Sequence, residues 1–338
     1  MKSEIKHVEH DILVTLGLKG QGIQPIRLGA NNKSYTCHVD EQLIFVKYFL
    51  KDSADERDKI GAEWEFLRYL DFIGEEQAPK PIAINTEKNL LIIGHCHGDQ
   101  PAFADYSNSL VSEASLFINR INRDRINDWS QTLPLASEHT PSISGYNKLT
   151  KIKLDALNQS IPKEEHEARL ILDQAISLLD ALWSKYEGSN SAVPDCIAKK
   201  NLCISPSDFG FHNVLVTADG RVNFVDFEYA GWDDPAKLLC DFVLHPAMKL
   251  NVSFAKRFVA GISIEDVNKD WLLSRCHILF GFSIVRWVCI IMNIFLPHHL
   301  ERKMFAKPGL CVSSLKMRQI TEAKLMLLKI SENPFQQS

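Results

Sequence analysis

The sequence predicts an α+β protein with a small N-terminal part built on an antiparallel sheet and a larger, mainly helical C-terminal part. Three short runs of strand type lie between residues 23 and 49, each bounded by turn-forming residues. Helical spacing of apolar residues prevails from residue 99 to 200 and again after residue 250. At 338 residues the chain is long enough for two lobes or domains.

The composition is that of an ordinary globular protein, and it argues against several functional classes. The net charge of −4 gives no basic footprint for nucleic acid. The first residues, Met1 to His7, are polar, so we expect no signal peptide. The eight cysteines include no Cys-x-x-Cys pair, which favours free thiols in the reducing cytoplasm over a disulfide framework or a zinc site.

The N-terminal part begins with a short helix over residues 8–18, which we expect to end near Gly17. The three strands that follow are predicted at residues 23–28, 34–39 and 43–49. Between the first two strands lies a turn-forming stretch, Gly29 to Lys33.

Lys47 is the first candidate functional residue, because alternation along the third strand places it on one face with Phe45 and Phe49. A lysine between large apolar neighbours needs a partner for its ammonium group. A lysine that extends from a partly exposed strand would give the same pattern.

The next segment, residues 53–70, has apolar residues at helical spacing. Glu63 and Glu65 on this predicted helix are both candidates to pair with Lys47, and both could equally form a solvated face. Two further strands are predicted at residues 82–84 and 89–93, and the second of them ends in Gly94 to Gly98. His95 and His97 beside Cys96 have no completing ligand pair nearby, so we do not expect a metal there.

A loop and a hairpin between residues 205 and 228 carry the most informative pattern. Asp208 and Asn213 lie in the loop, a short apolar run follows, and Asp219-Gly220 precedes a second apolar run that ends at Asp226. Asp-Gly between two strand-like runs predicts a tight hairpin with positive φ at both turn positions. The hairpin would bring its two ends together, so we expect the three oxygen-bearing side chains to converge.

Two carboxylates and an amide at one place suit a hard divalent cation such as Mg²⁺. The order Asp-x4-Asn followed by a strand-borne Asp is also the layout of a kinase catalytic centre. A plain hairpin with polar ends would contain the same residue types.

The rest of the chain is predicted to be helical. Asp234-Pro235 is typical of a helix N-cap followed by proline at the first position, and Asp241 lies on nearly the same face of that helix. Residues 138–146 are loop-like.

Residues 276–296 are apolar enough to resemble a membrane span, but Arg286 in their middle favours a buried helix. Helices are expected near residues 252–261, 264–299 (with a possible break) and 312–331.

These motifs resemble the aminoglycoside phosphotransferase and choline kinase-like family, a small-molecule branch of the protein-kinase fold. Its usual pattern, His-Gly-Asp-x-His-x-x-Asn and then Ile-Asp-Trp/Phe-Glu, is matched by Asp208, Asn213 and Asp226 in register. The two histidines of that pattern are Pro206 and Gly210 in this chain. The resemblance covers about residues 23–98 and 200–245 well, and the helical remainder only loosely.

The resemblance implies a bilobal protein-kinase-like fold, with a nucleotide-binding N-terminal lobe over residues 1–97. It implies a C-terminal catalytic and acceptor-binding lobe over residues 98–338 that carries a helical insertion. It implies transfer of the γ-phosphoryl group of ATP or GTP to a small-molecule hydroxyl, with Mg²⁺ as the cofactor. The roles it implies are catalytic for Asp208 and metal-binding for Asn213 and Asp226. The nucleotide-binding residues that it implies are Gly29, Asn32, Lys33, Ser34, Lys47, Glu63, Gly94 and Cys96.

Further expectations follow from the resemblance. Glu63 is preferred to Glu65 because it matches the family's Glu-x-x-x-Leu-x-x-Leu spacing, and Asp241 is expected to be structural. Residues 138–146 are expected to form part of the acceptor side.

Two alternatives and several open points remain at the level of sequence. A nucleotide-binding pseudokinase that acts as an interaction module would also account for Pro206 and Gly210. A protein kinase is disfavoured because no Ala-Pro-Glu element follows Asp226. The acceptor is open between a sugar, an amino alcohol and an aminoglycoside-like molecule, and neither ATP over GTP nor the oligomeric state is specified.

Overall fold

The computed structural model describes residues 2–26, 32–49, 57–189, 191–306, 309 and 311–336. The chain forms two compact units. Unit 1 comprises Met1–Asp105, Asp124–Ser137 and Pro206–Gly231, and unit 2 comprises Tyr106–Arg123, Glu138–Ser205 and Trp232–Ser338. The predicted lobe boundary at residues 97 and 98 stays a prediction. By packing, the loop that carries Asp208 and the hairpin after it fold with the N-terminal sheet.

The helices, in chain order, are α1 (Lys2–Leu16), α2 (Lys59–Phe72), α3 (Asn108–Ile121), α4 (Ile143–Ser160), α5 (His166–Glu187), α6 (Pro235–Leu244), α7 (Val252–Gly261), α8 (Lys269–Ile291), α9 (Pro297–Ala306) and α10 (Val312–Leu328). The strands are β1 (Gln21–Ile26), β2 (Asn32–Val39), β3 (Gln42–Phe49), β4 (Pro81–Asn85), β5 (Leu90–Gly94), β6 (Cys203–Ser205), β7 (Val214–Val216), β8 (Val222–Phe224) and β9 (Gly231–Asp233). The α+β class and the positions of most elements therefore agree with the sequence prediction.

Unit 1 is built on a five-stranded antiparallel sheet of order β1-β2-β3-β5-β4. Alternation along β2, β3 and β5 sends one set of apolar side chains to the face covered by α1. Val8 and Ile12 of α1 are buried there against Cys37, Ile44 and Ile92. The opposite face of β3 carries Lys47, so the packing of α1 leaves that face of the sheet for the site.

The β7–β8 hairpin is attached to the segment that follows β5. Asp99 and Val216 exchange backbone hydrogen bonds of 3.0 and 2.9 Å. The side-chain amide of Asn223 donates to the His97 carbonyl oxygen at 3.3 Å, and the Phe224 N–H donates to the Gln77 carbonyl oxygen at 2.7 Å. These bonds fix the hairpin relative to the N-terminal sheet.

Unit 2 is mainly helical, with α8 at its centre. Helices α4, α5, α6 and α10 all pack against α8, and α3 packs against α7. The run Lys269–Phe295, which includes α8, is long and apolar enough to cross a membrane by length and composition. However, 83% of its most apolar window is buried inside the structure. The break predicted within residues 264–299 occurs at the end of α8, where a short 3-10 turn begins at Met292.

Some element boundaries differ from the prediction for identifiable reasons. Helix α2 begins at Lys59, because the Asp58 side chain caps it by accepting from the Gly61 N–H at 2.9 Å. Residues 53–56 of the predicted helix lie outside the described residues. Strand β8 ends at Phe224 rather than at residue 227, so Asp226 follows the strand and is not part of it.

Candidate active site

Lys47 lies at the centre of a cluster of charged side chains in unit 1. Its residue surface is 5% exposed, yet its ammonium group has two carboxylate partners. The Nζ atom is 2.7 Å from Glu63 Oε1, 3.0 Å from Glu63 Oε2 and 2.7 Å from Asp226 Oδ1. The partner that the apolar flanks of Lys47 predict is therefore present, and the lysine does not extend into solvent.

Helix α2 supplies Glu63 to this cluster and keeps Glu65 away from it. The Glu63 side chain is fully buried. Glu65 instead contacts Arg68 at 3.4 Å and accepts from the Thr132 hydroxyl at 3.1 Å. Of the two glutamates that the sequence offered, the structure brings Glu63 to Lys47.

The electrostatics of this pair follow from burial and from the shared ammonium group. Burial alone would lower the pKa of Lys47, but the carboxylates of Asp226 and Glu63 outweigh it and hold the pKa above its ordinary value. Burial raises the pKa of Glu63 to about 7, although Lys47 opposes the shift. Lys47 therefore stays protonated at neutral pH and compensates charge in a site with little access to water.

The hairpin that carries the next residues forms as predicted, but its turn differs in type. Val214 pairs with Phe224, and Val216 pairs with Val222. The Gly220 N–H donates to the Thr217 carbonyl oxygen at 2.9 Å, and Gly220 has φ +83°. Asp219 is not among the described residues with positive φ, so only one turn position is left-handed. The loop is thus the three-residue type that ends in a left-handed glycine, and the positive φ predicted at Asp219 was wrong.

Asp208, the predicted catalytic residue, lies in a loop that is held from both sides. Ser207 before it has φ +64°, a conformation that side chains rarely adopt and that is frequent at functional sites. The Asn213 side-chain amide donates to the Asp208 carbonyl oxygen at 2.9 Å. His212 Nε2 lies 3.2 Å from Asp208 Oδ1.

Asp226 reaches Lys47 from a left-handed backbone conformation with φ +70°. Aspartate tolerates this region better than most residues. The next residue, Phe227, packs on Phe66 of α2 with ring centroids 4.8 Å apart, and its N–H donates to Glu63 Oε1 at 3.4 Å. The buried phenyl ring therefore anchors the chain while the turn at Asp226 aims the carboxylate at Lys47.

The oxygen atoms available near Asp226 and Asn213 fit a hard divalent cation. The Val225 N–H donates to the Asn213 carbonyl oxygen at 3.0 Å, which holds the two predicted metal ligands at the same end of the hairpin. Asn213 uses its amide nitrogen on Asp208, and Asp226 uses Oδ1 on Lys47. The other oxygen of each side chain has no protein partner in the described part of the chain, and carboxylate and amide oxygens are what Mg²⁺ accepts.

The predicted phosphate-binding turn is divided between the two faces of the sheet. Ser34 pairs with Lys47 across β2 and β3 and is hydrogen-bonded to Asn32 at 2.9 Å, so both share the face of Lys47. Lys33 lies on the other face and pairs with Glu4 of α1 at 3.2 Å. Gly29 lies outside the described residues. The structure therefore brings Asn32 and Ser34, but not the Lys33 side chain, toward the candidate site.

Glu4 is also the partner of Tyr35, whose hydroxyl donates to Glu4 Oε1 at 2.9 Å. Burial raises the pKa of Tyr35 to about 12, so the hydroxyl keeps its proton and remains a donor. Helix α1 thus holds β2 by two bonds from one carboxylate.

The two predicted hinge residues differ in what their backbones can still bind. The Gly94 N–H already donates to the Lys80 carbonyl oxygen at 2.8 Å. Among the described residues, none forms a hydrogen bond with the N–H or carbonyl oxygen of Cys96. Cys96 therefore has the free backbone groups that a purine edge would require.

His212 is the residue at the site that the sequence did not single out. The motif directed attention to histidines at the positions of Pro206 and Gly210, and neither is present. The spacing of four residues between Asp208 and His212 gave no usable signal, because the two do not lie on one helical turn. The backbone is extended at Gly210, and a 3-10 segment over Phe211–Asn213 follows.

The acidic residues that follow the hairpin are bound by cations of unit 2. Asp234 caps α6, accepting from the Ala236 N–H at 2.9 Å, and also pairs with Arg275 at 2.6 Å. Asp233 is 2.8 Å from Lys237. Asp241 contacts Arg286 and accepts from the Trp287 indole N–H at 3.1 Å. The N-cap predicted at Asp234 is confirmed, and these three carboxylates are engaged within unit 2.

Comparison with known proteins identifies the fold. No protein-family model and no curated protein sequence matches the chain. Similar solved structures include a spectinomycin phosphotransferase in complex with ADP and spectinomycin (12% identity, TM-score 0.63, 95% of this chain and 98% of that chain covered). They also include a choline kinase from Streptococcus pneumoniae (14% identity, TM-score 0.59, 97% and 100% covered).

A third similar structure is an amicoumacin kinase in a complex with AMP-PNP and Ca²⁺ (16% identity, TM-score 0.56, 99% and 98% covered). All three are small-molecule kinases, and the alignments extend over nearly the whole of both chains. The chain therefore has the protein-kinase-like fold of small-molecule kinases, with an N-terminal antiparallel sheet and a mostly helical remainder. The fold that the motifs implied is confirmed.

Proposed function

We propose that this protein is a small-molecule kinase that transfers the γ-phosphoryl group of ATP or GTP to a hydroxyl group, with Mg²⁺ as its cofactor, in the cytoplasm. The observation that carries the proposal is the position of Lys47 Nζ, 2.7 Å from both Glu63 Oε1 and Asp226 Oδ1. In kinases, a lysine that is aligned by a helix glutamate holds the phosphates, and a metal-binding aspartate lies beside it. The cluster around Lys47 has this arrangement. Two of the structural neighbours described above, the spectinomycin phosphotransferase solved with ADP and the amicoumacin kinase solved with AMP-PNP, support the same interpretation.

In this proposal each residue has one role. Lys47, aligned by Glu63, holds the α- and β-phosphates, while Asn32 and Ser34 line the covering turn. Asp208 orients the acceptor hydroxyl and accepts its proton. Cys96 offers its backbone to the base.

Asn213 and Asp226 would hold the cation. When bound, Mg²⁺ neutralises charge on the phosphate oxygens. The transition state of phosphoryl transfer is loose, so positioning and charge compensation supply most of the acceleration.

The sharing of Lys47 between two carboxylates has a consequence for nucleotide binding. A triphosphate that approaches Lys47 also approaches the Asp226 carboxylate, which is 38% exposed. Like charges at short distance repel, so the phosphates need a second cation between them and Asp226. We therefore expect nucleotide binding to depend on Mg²⁺.

The first experiment is thermal unfolding with ATP, GTP, ADP and AMP, each with and without Mg²⁺. A nucleotide at about 100 times its Kd stabilises a protein by about 2.7 kcal/mol through mass action. We expect a Mg²⁺-dependent increase in Tm with ATP or GTP that Asp226→Asn abolishes. The nucleotide that gives the increase identifies the donor.

Turnover is then measured against choline, ethanolamine, spectinomycin, gentamicin and simple sugars, because the similar structures include kinases of several of these classes. Asp208→Ala should abolish turnover and leave the Mg²⁺-dependent Tm increase intact. Nucleotide binding without any turnover would favour the pseudokinase alternative. The absence of nucleotide binding would contradict the proposal.

A further inference from the structure

The loop that carries Asp208 lacks both histidines of the motif it resembles, yet the Asp208 carboxylate has a histidine beside it. His212 Nε2 is 3.2 Å from Asp208 Oδ1, and the imidazole is 17% exposed. We propose that His212 is a positioning residue that fixes the orientation of the Asp208 carboxylate. This inference rests on the proposed function, because its consequence is a change in the rate of phosphoryl transfer.

The position of the imidazole is set by the loop around it. The phenyl rings of Phe209 and Phe211 are 3% and 0% exposed and anchor the loop on either side of Gly210. The Asn213 N–H donates to the Gly210 carbonyl oxygen at 2.9 Å, which closes the turn. The Gln100 side chain donates to the His212 carbonyl oxygen at 3.0 Å. With its backbone held in this way, His212 is directed toward Asp208 by the fold of the loop.

The hydrogen bond requires one particular form of the imidazole. An ionised carboxylate only accepts hydrogen bonds, so Nε2 must carry the proton. The Nε2–H group then restrains the two side-chain torsions of Asp208, whose side chain is 35% exposed. Asn213 holds the main-chain carbonyl of the same residue at 2.9 Å. Main chain and carboxylate are thus fixed by adjacent residues of one turn.

The two restraints have separable consequences. Nucleotide affinity depends on Lys47, Asn213 and Asp226, whose side-chain contacts described above do not involve the His212 imidazole. The orientation of Asp208 matters when the acceptor hydroxyl must be aligned for reaction, where a misplacement of about 1 Å costs about 100-fold in rate. Loss of the imidazole should therefore lower kcat and leave nucleotide binding and KM nearly unchanged.

Three substitutions at one position separate the hydrogen bond from the shape of the side chain. His212→Phe keeps a ring without a donor. His212→Gln places an amide N–H the same number of bonds from Cβ as Nε2, whereas His212→Asn places its N–H at the position of Nδ1. We expect kcat to fall on the order of 100-fold in the Phe and Asn variants and to be largely restored in the Gln variant. His38→Phe, an exposed histidine on β2, is the matched control and should retain wild-type kcat.

The kinetic assay uses an acceptor from the panel above, such as choline, ethanolamine or spectinomycin, that the wild-type protein turns over. Nucleotide affinity is measured in parallel by calorimetry with Mg²⁺ and AMP-PNP. Wild-type kcat in the Phe variant, or equal loss in the Gln and Asn variants, would overturn the proposal. A loss of nucleotide affinity that parallels the loss of kcat would also overturn it, because a general disturbance of the loop predicts that result.

A second measurement does not depend on turnover. Two-dimensional ¹H–¹⁵N spectra of the ring nitrogens report the tautomer of each histidine in the resting protein, and His212→Gln assigns the His212 signals. We expect His212 to carry its proton on Nε2 and its ring signals to move in Asp208→Asn, while those of His38 stay in place. A proton on Nδ1 alone would refute the positioning role. If instead this result is as expected but no acceptor is turned over, the proposed function fails while the hydrogen bond stands.

Discussion

The buried ammonium group of Lys47 is stabilised by the carboxylates of Glu63 and Asp226. The ammonium group and the Glu63 carboxylate are 7% and 0% exposed, and they approach each other to 2.7 Å. Removal of one member of a buried ion pair leaves the other without water and without a counterion, which costs far more than the loss of a surface pair. The site should therefore affect the stability of the fold as well as phosphate binding.

We expect Lys47→Met to lower the free energy of unfolding by about 3–5 kcal/mol, because Glu63 is left buried without a counterion. The double variant Lys47→Met/Glu63→Gln should lose less, since it buries no charge. Lys80→Met is the control, because Lys80 and Asp71 pair at 2.8 Å with both side chains about half exposed, and it should cost less than about 1 kcal/mol. Urea denaturation measures all three, and equal losses for Lys47→Met and Lys80→Met would contradict the prediction.

The pH dependence of Lys47→Met has a defined sign. Burial raises the pKa of Glu63 above its ordinary 4.5 to about 7, so the native state holds a proton that the unfolded state has released. Stability from such a group is lost as pH rises through this interval. Lys47 opposes this shift, so its removal raises the pKa of Glu63 further. The deficit of Lys47→Met relative to wild type should therefore grow as pH rises above about 7, and the double variant, which lacks the carboxyl group, should show no such growth.

Sequence reasoning at this scale succeeded where residue type and spacing carry the chemistry. Lys47 pairs with Glu63, as their motif positions implied, and Asn213 contacts Asp208, with which it was expected to converge. It did not find His212, because the motif concerns positions 206 and 210, and only the folded turn shows which histidine reaches the carboxylate. The partner of Lys33 was also not predictable, since Glu4 is 29 residues away and lies on a helix whose packing face depends on the whole sheet.

At the scale of elements, the contact between the hairpin and the segment after β5 depends on a glycine. Gly98 has φ +122°, and a Cβ atom there would lie 2.7 Å from the Val216 carbonyl carbon and 2.8 Å from its oxygen. The neighbouring residue, Asp99, forms the two backbone bonds to Val216. The close approach of two backbones thus links the predicted hinge to the hairpin that presents Asn213 and Asp226.

Gly98→Ala should lower the stability of the protein by about 3 kcal/mol, since it combines a strained φ with a clash against backbone that cannot rotate away. Gly220→Ala is the matched control. Gly220 also has positive φ, at +83°, but a Cβ there would meet no atom within 4 Å. It should lose only about 1 kcal/mol, the cost of the left-handed conformation. Thermal unfolding of the two variants compares them, and a smaller loss for Gly98→Ala would show that the contact is not tight.

The elements themselves were largely predictable, and their ends were not. The Asp-Gly pair correctly located the hairpin, because few dipeptides allow so short a reversal. The type of turn was wrong, because an extra backbone bond between Thr217 and Arg221 extends the ladder by one pair and leaves three residues in the loop. The same applies to Asp226. Its release from β8 into a left-handed turn follows from the packing of Phe227 on Phe66, which is a contact between distant parts of the chain.

At the scale of the whole molecule, buried charged side chains occur in both units. Those of unit 1 include Lys47 and Glu63 of the candidate site, and also Asp11, Glu75 and Arg125. In unit 2, several polar and charged side chains form a continuous series of contacts that joins a loop, three helices and β9. Its members, in order of contact, are Lys153, Glu138, Arg286, Asp241, Lys237, Asp233 and His139. The contacts of Lys237 with Asp233 and Asp241 have the i,i+4 spacing of a helix. The contact between Arg286 and Glu138 could not be predicted from the sequence, because the two residues are 148 positions apart.

Glu138 is the member of this series with the clearest expected effect of pH. Its carboxylate lies 2.7 Å from Arg286 Nη1 and 2.6 Å from Lys153 Nζ. Burial alone would raise the pKa of Glu138, but these two cations reverse the shift and lower the pKa to about 2. A carboxyl group with a lowered native pKa stabilises the fold above its unfolded value of 4.5, and this stabilisation is lost as pH falls toward 2.

The lowered pKa of Glu138 corresponds to about 3 kcal/mol of stability near neutral pH. Glu138→Gln should therefore be less stable than wild type by about that amount at pH 6, and the difference should shrink steadily below pH 4.5. The exposed Glu76→Gln is the control and should match wild type at every pH. Urea denaturation at intervals from pH 6 to pH 3 measures the differences. If the difference in the free energy of unfolding between wild type and Glu138→Gln stays constant across this range, the lost stability comes from packing and not from the charge. That result would contradict the electrostatic role of Glu138.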